Sequence, residues 1–324
     1  MSDRRRTLGH SGIEVPAVGI GCNAFGARVD EAGVRAIVDA ALEEGVTFFD
    51  TADVYSFGES ETLLGRALAG RRDDVVVATK FGMDMEGRNG DDGGRRGSAV
   101  YVRTAVEASL RRLGVDHIDL YQLHTPDRGT DLDETLAALH DLVDEGLVRA
   151  VGCSNFQAWE VVDAHWRAGA NGWTRFATAQ NEYSLYNRTA EVELTPACET
   201  IDVGILPYFP LAYGLLTGKY RRGEQAPAGS RLAQQTARLE GADWERIDAL
   251  TAFADERGIG LLELAMGGLA AQPAVSSVIA GVSRAEQVRT NAAAVRWTPS
   301  SDDLAALAEI GRPRQGYATY ASER

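Results

Sequence analysis

At 324 residues, 44% hydrophobic and 25% charged, the chain has the composition of an ordinary globular protein able to bury a large core. Its formal net charge of −14 argues against non-specific binding to nucleic acid or to an anionic membrane, since both need basic patches. That charge still allows a phosphorylated ligand held by a few local cations.

The three cysteines, Cys22, Cys153 and Cys198, are far apart and match no zinc or disulfide spacing, which reads as a reducing, cytoplasmic setting. The basic run at residues 1–6 is followed by no apolar segment, so no signal peptide is expected. Residues 264–283 carry no charge, but Gly267-Gly268, Gln272-Pro273 and Ser276-Ser277 interrupt them, predicting helix, turn and strand rather than a membrane span. Only two lysines, Lys80 and Lys219, stand against 31 arginines. Either codon bias left two survivors, or these positions need a compact ammonium that arginine cannot supply.

In chain order, residues 7–15 read as a hairpin with turn residues at its centre. Apolar or β-branched runs then recur at 17–20, 46–49, 75–79, 118–123, 148–152, 176–179, 204–208 and 277–280. Amphipathic runs separate them at 31–44, 60–68, 98–113, 132–145, 156–167, 190–201, 242–271 (a double stretch) and 284–294, with Asp30, Asp131, Asn155 and Ser283 as N-cap candidates. Residues 302–310 predict one further helix before a polar tail at 312–324. Eight strands alternating with helices imply a parallel sheet, and eight is the number that closes a (β/α)8 TIM barrel. Periodicity does not report closure, so an open doubly wound sheet stays as the alternative. No linker or composition shift divides residues 1–324, which read as a single domain. Two Gly-rich, charged connections, 83–97 and 219–240, read as solvated loops or as mobile covers over a ligand.

The strand ends carry the chemistry. Asp50, Lys80 and His124 close three successive apolar runs, and Tyr55 follows Asp50 in a Gly/Ser-bearing loop. At the C-terminal mouth of a parallel barrel these four would converge. An ammonium beside a phenol lowers its pKa, and a carboxylate behind the lysine keeps it charged and in place. A histidine at the same mouth can hydrogen-bond a substrate oxygen. Such a set moves a proton on oxygen while a hydride moves on carbon. Metal binding by Asp50, Asp53 and His124 is the competing use, without the usual ligand spacing to support it. Residues 19–24 fit G-x-G-x-x-A, but six residues then delay the helix, so a dinucleotide-binding Rossmann unit is rejected. A better anion site lies at 280–284, where Ser283 and Arg284 open a helix, with 214–219 as a second loop of this character.

Taken together, these residues resemble the aldo-keto reductase family. The motifs are Phe49-Asp50-Thr51-Ala52-Asp53-Val54-Tyr55, Leu63-Leu64-Gly65-Arg66-Ala67-Leu68, Thr79-Lys80, and Asp116-His117-Ile118-Asp119-Leu120-Tyr121-Gln122-Leu123-His124. Gly152-Cys153-Ser154-Asn155-Phe156, Pro210-Leu211 and Leu216-Thr217-Gly218-Lys219-Tyr220 continue the match over nearly the whole chain. The resemblance implies an eight-stranded barrel with an N-terminal hairpin and an extra C-terminal helix. It also implies NADPH-dependent reduction of a small-molecule carbonyl, with NAD as the other possible cofactor. The catalytic set would be Asp50, Tyr55, Lys80 and His124, with Tyr55 the general acid. Ser154, Asn155 and Gln180 would hold the nicotinamide carboxamide, and Tyr208 would stack on its ring. Leu211, Gly214, Thr217 and Lys219 would line the pyrophosphate, in a run that includes Phe209, Pro210 and Gly218. Gly281, Ser283, Arg284, Gln287 and Asn291 would surround the adenosine end, and Gly21, Cys22 and Asn23 would border the cofactor. Phe209 stands where the family usually has serine, and a preference for NADP rests chiefly on Arg284. A regulatory barrel that binds nicotinamide with little turnover is the rival reading, and a metal-dependent hydrolase or lyase a second. Phe25, Phe57, Trp159 and Tyr186 are either an aromatic mouth or core. The physiological substrate and the oligomeric state are not legible.

Overall fold

A computed structural model describes residues 5–311 and 313; residues 1–4, 312 and 314–324, which hold most of the basic N-terminal run and of the polar tail, lie outside the described residues. Strands β1 (Arg5–Thr7) and β2 (Glu14–Pro16) pair antiparallel, as the hairpin reading requires. Eight strands then run parallel: β3 (Val18–Gly21), β4 (Phe48–Asp50), β5 (Val76–Phe81), β6 (Ile118–Leu123), β7 (Val148–Ser154), β8 (Thr178–Gln180), β9 (Gly204–Ile205) and β10 (Val278–Gly281). The sheet order is β10-β3-β4-β5-β6-β7-β8-β9. Its two ends meet: Ile205 N donates to Ala274 O at 2.7 Å, Ser276 N to Ile205 O at 2.9 Å, and Ile279 N to Pro207 O at 2.9 Å. The sheet therefore closes into a (β/α)8 barrel, and the open-sheet alternative falls. The seventh barrel strand is shorter than its apolar run because Pro207 has no N–H to give to a ladder.

The helices are α1 (Glu31–Glu43), α2 (Glu59–Ala67), α3 (Ala99–Leu113), α4 (Leu132–Asp144), α5 (Ala158–Asn171), α6 (Leu194–Thr200), α7 (Thr236–Glu240), α8 (Trp244–Glu256), α9 (Leu261–Ala270), α10 (Ala285–Ala294) and α11 (Ser301–Glu309). α11 is the extra C-terminal helix. Asp30 caps α1 through Gly33 N, and Asp131 caps α4 through Asp133 N. The other two cap expectations are corrected. α5 starts at Ala158 behind Gln157, which shares a capping box with Glu160, so Asn155 is free for the site. Arg284, not Ser283, precedes α10, because the Ser283 N–H and hydroxyl both bond Gln287 Oε1. Residues 264–283 form α9, a turn and β10 as expected, and no helix among the described residues is long and apolar enough to cross a membrane.

Alternation along the strands builds the barrel interior in layers. Phe48, Ala78, Leu120, Ala150 and Ile279 point inward and pack on Leu8, Ile13 and Val15 of the hairpin, which plugs the N-terminal end. Phe48 fills the space its small neighbours leave; a Cβ on Gly19 would come within 2.7 Å of its ring, so a larger residue there would have to displace Phe48. Outward-facing residues such as Phe49, Phe81 and Tyr121 pack into the helical ring. A second apolar cluster under α8 and α9 takes in Tyr220 and the fully buried Leu232, which anchor an otherwise largely exposed 219–240, as the solvated-loop reading expects, with the short α7 at its end. Residues 83–97 are likewise mostly exposed, with Met85 and Asn89 as buried anchors among the glycines and charges.

Candidate active site

The residues two positions after the inward layer form the next layer up. Phe48 leads to Asp50, Ala78 to Lys80, and Leu120 to Gln122 and then His124, because strand side chains repeat every second residue. A parallel sheet puts all these strand ends at one mouth. Lys80 is fully buried; its Nζ donates to Asp50 Oδ2 at 2.6 Å and to Thr51 O at 2.8 Å, and reaches Tyr55 Oη at 3.4 Å. Asp50 Oδ1 accepts from Gln180 Nε2 at 2.9 Å and Gln122 Nε2 at 3.2 Å. Three donors thus satisfy a buried carboxylate that would otherwise be costly. The Tyr55 and His124 rings meet edge to face, centroids 5.9 Å apart. The four residues predicted to converge do so.

Burial alone would lower the Lys80 pKa, but Asp50 and Tyr55 more than offset it, and the ammonium ends above its ordinary value. Burial pushes the Tyr55 phenol up and Lys80 pulls it back only in part, so the net direction is upward. That corrects the expectation of a phenol brought below its usual range: desolvation outweighs one ammonium here. Burial first, then the charge of Lys80, hold the His124 imidazole neutral down to about 3. Its Nδ1 is buried without a partner, while its main-chain oxygen accepts from Asn155 Nδ2 at 2.9 Å.

The residues predicted along the cofactor lie at the ends of β3, β7, β8, β9 and β10 and in the loops beyond, except Gln287 and Asn291, which lie within α10. Ser154 donates to Gln180 O at 2.8 Å, and Tyr208 Oη donates to Asn155 Oδ1 at 2.7 Å. Asn155, held by these bonds, takes a left-handed backbone, as do Phe209, Ala212 and Tyr213. Non-glycine residues in that region cluster where a site over-determines them. Pro210 is buried, Leu211 half-buried, and Thr217 Oγ1 donates to Gly214 O at 2.6 Å; Gly214 and Gly218 complete the left-handed turns. Lys219 is exposed beside the Tyr220 ring. Gly21 and Cys22 are buried, and a Cβ on Gly281 would come within 3.3 Å of Asn23 Oδ1, a close approach of two loops. Asn291 is buried and Arg284 exposed at opposite ends of this segment. β3 runs into a turn before α1, in keeping with the rejected Rossmann reading.

Sequence reasoning missed Gln122, whose signal was its place two residues before His124 in an inward register. It also missed Arg231, which lies over the rings of Phe209 and Tyr213 at 5.8 and 5.2 Å. Burial, then the like charge of Arg28 across the mouth, lower its pKa. Of the aromatic candidates, Phe25 is core, Phe57 is exposed next to Tyr55, and Trp159 is exposed on the first turn of α5. Tyr186 lines a separate cavity of about 400 Å³ with Tyr213 and Arg238 and is tied by its hydroxyl to Asp243 N. Asp53, offered for a metal, turns away to Asn89 at 3.0 Å, and among the described residues no group of three or more His, Cys, Asp or Glu gathers to hold an ion.

Comparison with known proteins agrees with this geometry. The chain is 34% identical over 311 residues to an uncharacterized oxidoreductase, YrpG, of Bacillus subtilis (strain 168), covering 94% of each chain. It is 34% identical over 294 residues to a second uncharacterized oxidoreductase of that organism, YqkF, covering 89% of this chain and 90% of that one. It is also 33% identical over 305 residues to a probable voltage-gated potassium channel subunit beta of Oryza sativa subsp. japonica, covering 91% and 92%. The family model for the aldo/keto reductases matches residues 17–312, and the chain belongs to the Aldo/keto reductase family.

Proposed function

We propose that this protein reduces an aldehyde or ketone to the alcohol with NADPH, in a reversible reaction run by one domain. The observation that carries the reading is the buried Asp50–Lys80–Tyr55 chain beside a neutral His124 at the open end of a barrel. The surroundings suit a dinucleotide. The left-handed run at Phe209, Ala212, Tyr213, Gly214 and Gly218 bends the backbone into the concave form that receives phosphate. Arg28 and Arg231 act on each other as like charges, and an anion between them would relieve that repulsion.

When bound, the nicotinamide supplies the hydride. Ser154, Asn155 and Gln180 would hold its carboxamide, Tyr208 would stack on the ring, and Ser283, Arg284, Gln287 and Asn291 would surround the adenosine end. The protein's own part is proton transfer. Tyr55, kept protonated by burial, donates its hydroxyl proton to the carbonyl oxygen as carbon becomes tetrahedral, leaving a phenolate. Lys80 stabilises that phenolate, and Asp50 fixes Lys80 and keeps it charged. His124, neutral at any working pH, can donate from Nε2 to the same oxygen, the tautomer that leaves no unmet donor at the buried Nδ1. Solvent returns the proton to Tyr55.

The test is NADPH and NADH oxidation over a panel of aldehydes and ketones; turnover with none of them would remove the reading. A second reading, a nicotinamide-binding regulatory barrel with little turnover, takes its support from the relative named as a potassium channel subunit beta. Tight cofactor binding without turnover would favour it.

A further inference from the structure

A second buried carboxyl lies just behind the proposed acid. Asp53 sits between Asp50 and Tyr55 in the chain and is fully buried; its N–H donates to Lys80 O at 3.0 Å. Its Oδ2 accepts from Asn89 Nδ2 at 3.0 Å, and its Oδ1 is buried with no partner. Asn89 is the buried centre of the glycine-rich 83–97 segment, and its Oδ1 accepts from Arg112 Nη1 at 2.9 Å. Arg112 Nε bonds Glu61 Oε2 at 2.6 Å, and Glu61, also fully buried, accepts from the hydroxyl of Thr79 at 2.5 Å.

The groups facing Asp53 are Glu61 from α2, Arg112 and Tyr101 from α3, and Tyr121 from β6. Two buried carboxyls therefore share one guanidinium, and Glu61 holds it directly. An unpaired buried carboxylate is far costlier than a neutral acid, so the proton belongs on Asp53. In keeping with that count, burial and then the charge of Glu61 push Asp53 up to about 8.

The same cluster grips the turn that carries Tyr55. A Cβ on Gly58 would lie 2.5 Å from Arg112 Cδ, so the guanidinium arm runs directly beneath that turn. Ser56 and Phe57 have left-handed backbones, and the Arg88 guanidinium from the 83–97 segment covers the Phe57 ring at 3.9 Å. We propose that Asp53 is a positioning residue that, as a neutral acid, latches the 83–97 segment through Asn89 onto the Tyr55 turn, so that the segment opens more readily as pH rises. The role in catalysis rests on the proposed reductase reading; the latch itself does not.

The sign follows from the two states. When the segment opens, Asp53 meets water and titrates near its ordinary value of about 4, whereas closed it holds its proton up to about 8. Opening is thus favoured about tenfold more per pH unit between those values, and levels off above about 8. The experiment is hydrogen exchange of peptides within 83–97, corrected for the intrinsic pH dependence, from about pH 5 to about pH 9. In the wild type, opening rises steeply to about pH 8 and then flattens. Asp53→Asn, which mimics the neutral acid, gives low and flat opening, and Asn89→Ala raises opening throughout while keeping its rise with pH, because burial and Glu61, not Asn89, hold the proton on Asp53. A flat wild-type profile, or an Asp53→Asn profile that rises like the wild type, overturns the latch. Because exchange is read without substrate, either result stands apart from the outcome of the carbonyl panel; where turnover is measurable, Asn89→Ala should raise KM or lower kcat, and Asp53→Asn should flatten the alkaline fall of kcat.

Discussion

Removing the Lys80 ammonium while keeping its length offers a quantitative check on the site. In Lys80→Met the side chain fits the same space, so little cavity forms, but Asp50 keeps only the two amide donors Gln122 and Gln180. The pair is held at 2.6 Å, with the lysine side chain at 0% and the aspartate at 3% exposure, so solvent screening is negligible. Breaking such a pair costs about 3–5 kcal/mol, mostly the penalty of stranding the remaining charge. Asp50→Asn in the same background removes that charge, and the double variant should recover all but about 1–2 kcal/mol. Urea unfolding followed by circular dichroism, with all three variants in one cycle, measures both quantities. Because the Lys80 ammonium ends above its ordinary value, the stabilisation is complete at neutral pH and is lost only as pH climbs through the folded value, above about 10.5. A Lys80→Met protein that unfolds at the wild-type urea concentration with an unchanged slope would refute the buried pair.

Two further outcomes follow. The pH profile of kcat/KM should carry no histidine step between about pH 5 and pH 8, since His124 titrates near 3; a limb near pH 6.5 that vanishes in His124→Gln would contradict this. Arg284 is exposed at the start of α10, where it can meet an adenosine phosphate, so Arg284→Ala should weaken NADPH binding by about tenfold or more and leave NADH binding nearly unchanged. Equal losses for both cofactors would remove Arg284 from that role.

The barrel and its mouth were legible because their signals are local and repeat. Three successive apolar runs are each followed at once by a polar residue, so Asp50, Lys80 and His124 could be placed at one mouth from the sequence. What failed was set by tertiary packing. Whether Tyr55 rises or falls in pKa depends on how much water burial removes, which the order of residues does not encode. Asn89 is embedded in a run of glycines and charges that is largely solvated, yet its one amide spans Asp53 and Arg112 and is buried. Tyr220 and Leu232 do the same for 219–240, two buried anchors in an otherwise exposed stretch. Asn155 and Ser283 look like helix caps by type and spacing, but Asn155 is taken by His124 O and Tyr208 across the barrel and Ser283 by Gln287 one turn on.

The central claim is that Tyr55 supplies the proton. Tyr55→Phe keeps the ring and its packing and removes only the hydroxyl, so NADPH should bind as in the wild type, read by quenching of protein fluorescence, while carbonyl reduction falls by about 10²–10⁴-fold. Unchanged turnover with unchanged cofactor binding would show that the proton comes from elsewhere, and the account of this site would fail.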